Sequence, residues 1–422
     1  MKIVKRNINN LELYYMPNTK FKTIDVAFVF TNELNPQEIN ERNFLSEILM
    51  ESTHKYNNPE KMSLACDNLY GLDKTCNFHT VGNVSITTFM IRTINDKYLD
   101  ESNIFSLSLD LLLEIIYRPK LHKCLIPKKS VNELLIQTEE LMLSIKQNKN
   151  AYTYYQFMRE YTRNNQDRIA IFPEMRYLNQ VSNKTVSDCY QKMISEDKLQ
   201  IFIAGDFDFT LMDQLIQEKL SFLVSKTDLS FDYKSEFVSS TNINEVIEKS
   251  SNGQTRVFIG YYLNFDYNKK NALIMSLFDE LFGGFEKAKL FANIREKLQL
   301  SYYVYSRYNE DSNLFFVNLE TNKEQTQKAI DEVAKQLQDC QNGDIDDELF
   351  NQAKQNLIKR LDSALDSQTK LLLHNIIGYL RYKSVFDLEL RKQEIRDIKK
   401  EEVINLIQNI KIDTTYVYTN EE

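Results

Sequence analysis

Tryptophan is absent from this chain of 422 residues, and histidine occurs only four times. Tyrosine (24) and phenylalanine (25) are plentiful and therefore supply the aromatic side chains. The histidines are widely spaced, at His54, His79, His122 and His374. A metal site on one helix face needs two ligands three or four residues apart, and no histidine pair here has that spacing.

The motifs of the common catalytic sites are missing as well. The zinc motifs HExxH and HxxEH do not occur, and neither does a GxSxG nucleophile elbow, a Walker loop or a GxGxxG fingerprint. The sequence thus excludes a self-contained zinc peptidase. We expect the chain to bind no metal and no cofactor of its own.

Long apolar runs are also missing. The richest stretches, residues 107–116 and 371–380, are interrupted by polar residues, and neither reaches the roughly 18 apolar residues that a membrane helix needs. The first ten residues, MKIVKRNINN, lack the apolar stretch of a secretory signal. The five cysteines are scattered and form no CxxC pair, which favours reduced thiols. We therefore predict a cytoplasmic protein without a membrane segment.

Neither sign of charge dominates the chain. It has 52 lysines and arginines against 60 aspartates and glutamates, a formal charge of −8, and no long basic stripe. Nucleic acid is therefore not an expected partner. With 42% apolar and 27% charged residues the composition is that of a globular protein, and the length suggests two or three domains.

The order of predicted strands and helices occurs twice. In the first half, strand, helix, strand, helix, long helix and strand are predicted at residues 23–30, 43–51, 83–92, 103–117, 125–161 and 199–204. A similar order recurs about 220–230 residues later, ending in a strand at residues 414–418. This pattern favours a duplicated α+β fold, with one unit at 1–220, a polar linker at 221–253 and a second unit at 254–422. Coincidence is the alternative, because alternating strands and helices are common.

The segment NFLSEILMEST at residues 43–53 resembles the zinc helix of the M16 (insulinase- or pitrilysin-type) peptidase family, which reads HFLEHMLFxGT in active members. Phe44, Leu45, Leu49 and Thr53 match the frame. The chemical positions differ. Asn43 and Glu47 stand where the family has its two histidines, and Ser46 stands where it has its catalytic glutamate.

The second half resembles the same family at a different site. Residues 283–297 contain GGF, KLF and IREK in the order of the family's GGx, SKLF and (I/V)REK, and LSY at 300–302 is similar to its GLxY. The GDFD at 205–208 resembles the family's GDxD. The resemblance implies that Arg295 and Tyr302 correspond to the family's R/Y pair, which holds substrate and stabilises the oxyanion. It also implies the LuxS/MPP-like metallohydrolase fold, with two homologous α/β-sandwich units forming a half-clam shell.

This pattern is similar to that of the bacterial inactive M16 proteins that are encoded beside a zinc-bearing relative. It implies a non-catalytic subunit of a heterodimeric zinc metalloendopeptidase, in which a zinc-bearing paralogue is the partner, a peptide is the substrate, and Arg295 and Tyr302 act in trans. The family's third zinc ligand falls near Glu139 or Glu140, which without the histidines are more simply solvated helix residues.

Two other interpretations remain open. The same fold could serve as a non-proteolytic scaffold or peptide-binding protein, in which case Tyr302 is an aromatic on a strand and Arg295 pairs with Glu296 on the surface. An enzyme with an unrelated site is the third possibility, although no nucleophile–base set is present. The sequence does not define the peptide, its cleavage site, or whether the partner is obligatory.

Overall fold

The computed structural model describes residues 3–9, 11–100, 103–165, 169, 171–223, 229–231, 233, 237–239, 242–250, 254–364, 366–384 and 387–420. The chain folds as two compact units that each combine several segments. The first consists of Met1–Met142, Phe172–Tyr233 and Leu365–Asp387, and the second of Leu143–Ile171, Lys234–Ala364 and Leu388–Glu422.

Each unit is built on one mixed β-sheet. The first sheet contains β1 Val4–Ile8, β2 Leu11–Pro17, β3 Thr23–Glu33, β4 Asp73–Val81, β5 Val84–Ile94 and β6 Lys198–Gly205. The second contains β7 Asn244–Ser250, β8 Thr255–Tyr262, β9 Tyr303–Asn309, β10 Leu314–Thr321 and β11 Lys411–Asn420.

The helices, apart from short 3-10 turns, alternate with these strands. Up to β7 they are α1 Ile39–Glu51, α2 Pro59–Asp67, α3 Ile104–Tyr117, α4 Lys128–Gln147, α5 Lys149–Tyr161, α6 Asn183–Glu196 and α7 Phe209–Lys219. After β8 they are α8 Lys269–Gly283, a π-helix at Phe291–Lys297, α9 Thr326–Gln341, α10 Asp347–Ala364, α11 Gln368–Tyr382, α12 Leu388–Asp397 and α13 Lys400–Ile407.

The two sheets have the same topology. Their strand orders are β1-β2-β6-β3-β5-β4 and β7-β11-β8-β10-β9, so β2 to β6 correspond one by one to β7 to β11. In both sheets the first strand of the repeat pairs parallel with the last, and the other pairs are antiparallel. The predicted α+β duplication is therefore confirmed at the level of the fold.

One helix from each half of the sequence belongs to the opposite unit. Helix α5 precedes β6 in the chain but lies in the second unit, and α11 precedes β11 but lies in the first. Each covers a sheet face that the other helices leave open. Leu372, Ile376 and Leu380 of α11 join the core on one face of the first sheet. Phe157 and Tyr161 of α5 do so on the second sheet.

Two details of the chain differ from the sequence-based predictions. Residues 244–250 lie within the predicted linker 221–253 but form β7, in which half-buried and exposed residues alternate beside β11. The glycine pair at 283–284 follows a predicted helix and predicts a left-handed residue at its C-terminal end, but Gly284 ends α8 with φ −79°. Its neighbour Gly283 is required for a different reason, because a β-carbon there would lie 2.3 Å from the backbone nitrogen of Ser306.

Candidate functional site

Helix α1 is the segment that resembles a zinc helix, and packing fixes its position. Phe44, Leu45, Ile48 and Leu49 are all buried in the core of the first unit. Their spacing places them on one face of the helix, so the retained frame of the motif is the buried face. The residues that match the family motif on this face are therefore explained by packing and give no evidence of metal binding.

The three chemical positions of α1 do not form a metal site. The Asn43 amide donates to the Ile39 carbonyl at 2.7 Å, and the Ser46 hydroxyl donates to the Asn43 carbonyl at 2.7 Å. Both side chains are therefore occupied by their own helix. Glu47 is exposed, and partial desolvation together with the charge of Glu51 raises its pKa.

Zinc requires nitrogen, sulfur or carboxylate ligands in a tetrahedral group. At these positions α1 offers a single carboxylate, that of Glu47, so the residues present do not fit the ion. Glu139 and Glu140 lie on α4 and are exposed. Among the described residues, no group of three histidine, cysteine, aspartate or glutamate side chains is arranged to hold a metal.

Arg295 lies on the π-helix Phe291–Lys297. Such helices are rare and occur often at functional sites. The guanidinium stacks on the ring of Phe291, 4.5 Å from its centroid, and Nε lies 3.8 Å from the Glu296 carboxylate. The side chain is 43% exposed, so its remaining donors face solvent. This pairing with Glu296 is loose and leaves the planar fork free to bind a backbone or a carboxylate.

Tyr302 immediately precedes β9. Its backbone N–H donates to the Glu320 carbonyl at 3.0 Å, but the residue is 58% exposed. Val304 and Ser306, two and four residues later, are buried. Tyr302 therefore departs from the strand alternation, and its hydroxyl has no hydrogen-bond partner within the described part of the chain.

The turn between Arg295 and Tyr302 is held by several hydrogen bonds. The Leu300 N–H donates to the Ile294 carbonyl at 2.9 Å, and the Ser301 hydroxyl donates to the Glu320 carbonyl at 2.7 Å. Gln299 adopts the left-handed conformation, with φ 53°. Arg295 and Tyr302 thus stand on the two ends of a braced turn, which reduces the entropy lost when they bind a ligand.

The sequence is similar to those of known proteins. Residues 180–357, which include Arg295 and Tyr302, match the family described as "Peptidase M16 inactive domain". The "Probable inactive metalloprotease YmfF" of Bacillus subtilis (strain 168) is 23% identical over 418 residues, which are 98% of this chain and 96% of that protein. The chain is thus similar to M16 peptidases, with the family match confined to residues 180–357. Over almost its whole length, the chain is similar to a protein described as inactive.

Solved structures show the same fold. A conserved protein from Enterococcus faecalis V583 superposes with a TM-score of 0.90 at 22% identity, covering 100% of this chain and 99% of the other. The periplasmic protease PqqL from Escherichia coli gives a TM-score of 0.75 at 13% identity. That match covers 99% of this chain but 46% of PqqL, so one such fold occupies about half of the longer protein.

A second group of polar residues in this chain is not predicted from the sequence. Arg256, Arg307, Asn318 and Glu320 line an open cleft of about 610 Å³ together with Tyr154. These residues come from α5, β8, β9 and β10, which are far apart in the chain. The sequence contains one signal of this cleft, the arginine within the otherwise apolar strand RVFIGYY, and that signal alone is weak.

Among the described residues, no helix is long and apolar enough to cross a membrane.

Proposed function

We propose that this chain is the non-catalytic subunit of a heterodimeric M16 zinc endopeptidase and that it presents Arg295 and Tyr302 to peptide bound by a zinc-bearing paralogue. The observation that carries the proposal is the exposed Tyr302 side chain, whose hydroxyl has no hydrogen-bond partner among the described residues, on a turn held by several hydrogen bonds. A tyrosine with only a structural role on a strand is expected to bury its ring. This one is 58% exposed.

The chemistry of the two side chains suits that role. A tyrosine hydroxyl donates a hydrogen bond to an oxyanion as it develops during peptide hydrolysis, and removing such a donor costs about 10² to 10³ in rate. The arginine fork binds backbone carbonyls or a carboxylate with two parallel bonds. Since α1 offers no ligand set for zinc, these groups can act only on a substrate that another chain activates.

A reconstitution experiment tests the proposal. The chain is mixed with a zinc-bearing M16 paralogue from the same organism, and cleavage of an unstructured, internally quenched peptide is followed. We expect a 1:1 complex that cleaves the peptide, and neither chain alone does so at a comparable rate. Tyr302→Phe in this chain then lowers kcat by about 10²-fold, because it removes one hydroxyl donor and little packing volume.

Tyr98→Phe serves as the matched control, because Tyr98 is also exposed, at 42%, and lies in the other unit. It leaves turnover unchanged. If Tyr302→Phe leaves the complex fully active, the role proposed for Tyr302 is wrong, and the scaffold or peptide-binding interpretation is favoured. If no complex forms with any zinc-bearing paralogue, the proposal of a heterodimer is wrong.

A further inference from the structure

The cleft of about 610 Å³ lies on the face of the second sheet that α5 covers. Strand alternation separates this face from the one that packs against α8, where Val257, Ile259 and Val317 are buried. The volume is within the usual range for sites that bind small ligands or peptide ends. The cleft contains neither Arg295 nor Tyr302.

Strand register arranges the floor of the cleft in rows. Residues directly opposite on β8, β10 and β9 form three rows, which are Arg256–Glu320–Tyr303, Phe258–Asn318–Tyr305 and Gly260–Phe316–Arg307. The first row contains two charged side chains, and the second combines two aromatic rings with an amide. The third row ends in an arginine on β9. All nine residues point to the same face, because each strand advances by two residues between rows.

Helix α5 covers the third row tightly and leaves the first row open. The ring of Tyr161 lies so close to Gly260 that a β-carbon there would come within 2.7 Å of it. Phe157 stacks on Phe258 with 4.8 Å between ring centroids. Towards the start of α5 the covering side chain is Tyr154, which is 43% exposed. The cleft is the space that remains beneath this N-terminal end of the helix.

Two buried side chains on the floor have unused hydrogen-bonding atoms. Arg256 is only 5% exposed and forms an ion pair with Glu320 through Nη2, but its Nε has no partner among the described residues. Asn318 is 2% exposed and donates to the Tyr305 hydroxyl at 3.3 Å, while its Oδ1 accepts no bond from any described residue. One unused donor and one unused acceptor thus lie in adjacent rows.

The charge of the cleft is positive. Glu320 neutralises one of the two arginines that line it, and Lys149 at the start of α5 adds a further positive charge nearby. Burial and the charge of Arg256 lower the pKa of Lys149, which places those two groups within electrostatic range. The N-terminal end of α5 carries a partial positive charge as well. The cleft therefore favours the binding of an anion. The carboxylate of Glu320 disfavours an anion that carries several negative charges.

We propose that this cleft binds the C-terminal residue of a peptide. Arg256 and Arg307 hold the carboxylate, Asn318 Oδ1 accepts the residue's amide N–H, and its side chain lies among the aromatic rings. A peptide end supplies an acceptor and a donor together, whereas inorganic phosphate supplies neither an N–H nor an apolar group. The choice of a peptide rests on the proposed function, but the site requires no zinc-bearing partner.

A binding measurement on the purified full chain tests this proposal. The probe is a dye-labelled pentapeptide of four alanines followed by phenylalanine, prepared once with a free C-terminal carboxylate and once as the amide. We expect fluorescence anisotropy to show at least about 10-fold tighter binding of the acid, because charge-assisted bonds to arginine are among the strongest hydrogen bonds. Arg256→Gln and Arg307→Gln remove that preference, and Asn318→Leu weakens binding of both peptides.

Arg159→Gln is the control, because Arg159 is an exposed arginine of α5 that does not line the cleft. It leaves both affinities unchanged. If circular dichroism shows that Arg256→Gln is not folded, the test relies on Arg307→Gln, because Arg307 is exposed. Equal binding of acid and amide, no binding of either, or displacement of the probe by millimolar phosphate overturns the proposal. None of these results bears on cleavage by the mixed complex, so the two proposals fail separately.

Discussion

Arg42 Nη1 lies 2.7 Å from Asp197 Oδ2, and both side chains are almost completely buried. Arg42 immediately precedes Asn43 of α1, and Asp197 immediately precedes β6. The pair therefore anchors α1 to the sheet of the first unit. The fold therefore depends on the position of α1, whether or not the helix carries residues that bind zinc.

Arg42→Ala is predicted to lower the free energy of unfolding by about 3–5 kcal/mol, because it leaves the Asp197 carboxylate buried without its counter-charge. Urea denaturation of the purified chain measures this. Lys184→Ala is the control, since Lys184 pairs with Asp188 at 2.7 Å but both side chains are exposed. The control changes stability by less than about 1 kcal/mol. If the two variants lose a similar free energy of unfolding, burial does not determine how much these ion pairs contribute to stability.

Glu38 is predicted to give the first unit a pH-dependent stability. Burial favours its protonated form, but a hydrogen bond from Lys192 and the charge of Arg42 outweigh burial, and the pKa is lowered. A lowered folded-state pKa contributes stability above the ordinary pKa of about 4.3, and the contribution is lost as the pH falls through the lowered value. Glu38→Gln is therefore less stable than the parent at pH 7, and the difference shrinks towards pH 3. Thermal unfolding at several pH values measures it, and a constant difference would contradict the assignment.

Much of the fold can be predicted from periodicity. Strands β3 and β5 and the buried face of α1 were predicted because apolar residues alternate or recur at helical spacing. The exchange of α5 and α11 between units could not be predicted, because an amphipathic helix does not encode which sheet it covers. Strand β7, with the sequence NEVIEKS, was missed because a polar edge strand lacks the composition of a buried strand.

The candidate site was only partly predictable. Arg295 and Tyr302 could be found because the pair lies within one short, recognisable stretch of sequence. Their environment could not be found in this way, because the Ser301 hydroxyl and the Tyr302 N–H bond to the carbonyl of Glu320, which lies on a different strand. The cleft at Arg256 and Asn318 depends on the strand register and on where α5 begins. Neither feature can be predicted from the pattern of a single sequence.

The degenerate zinc helix should accept zinc when its ligands are restored. The variant Asn43→His, Ser46→Glu, Glu47→His places two imidazoles four residues apart on one face of α1. We expect it to bind zinc at least about 10-fold more tightly than the parent by competition with a chelating dye, although the partners that orient histidines are not restored. The variant Asn43→His, Glu47→His lacks the added glutamate and should bind comparably. If neither variant exceeds the parent, the assignment of α1 as a former zinc helix is wrong.

Arg295→Ala is predicted to act on substrate binding and not on the chemical step of the mixed complex. The guanidinium stacks on Phe291 and is 43% exposed, so its removal changes the stability of this chain little. In the proposed function the substitution removes the fork that holds the substrate backbone. We therefore expect KM to rise by about 10-fold while kcat changes less, the signature of a lost uniform binding contact. Lys297→Ala, an exposed cation on the same π-helix, serves as the control for a simple change in charge. Arg295→Lys keeps the charge but not the planar fork, and it should behave like alanine. If lysine restores the parent KM, Arg295 acts through its charge alone, and its proposed bidentate contact with the substrate backbone is wrong.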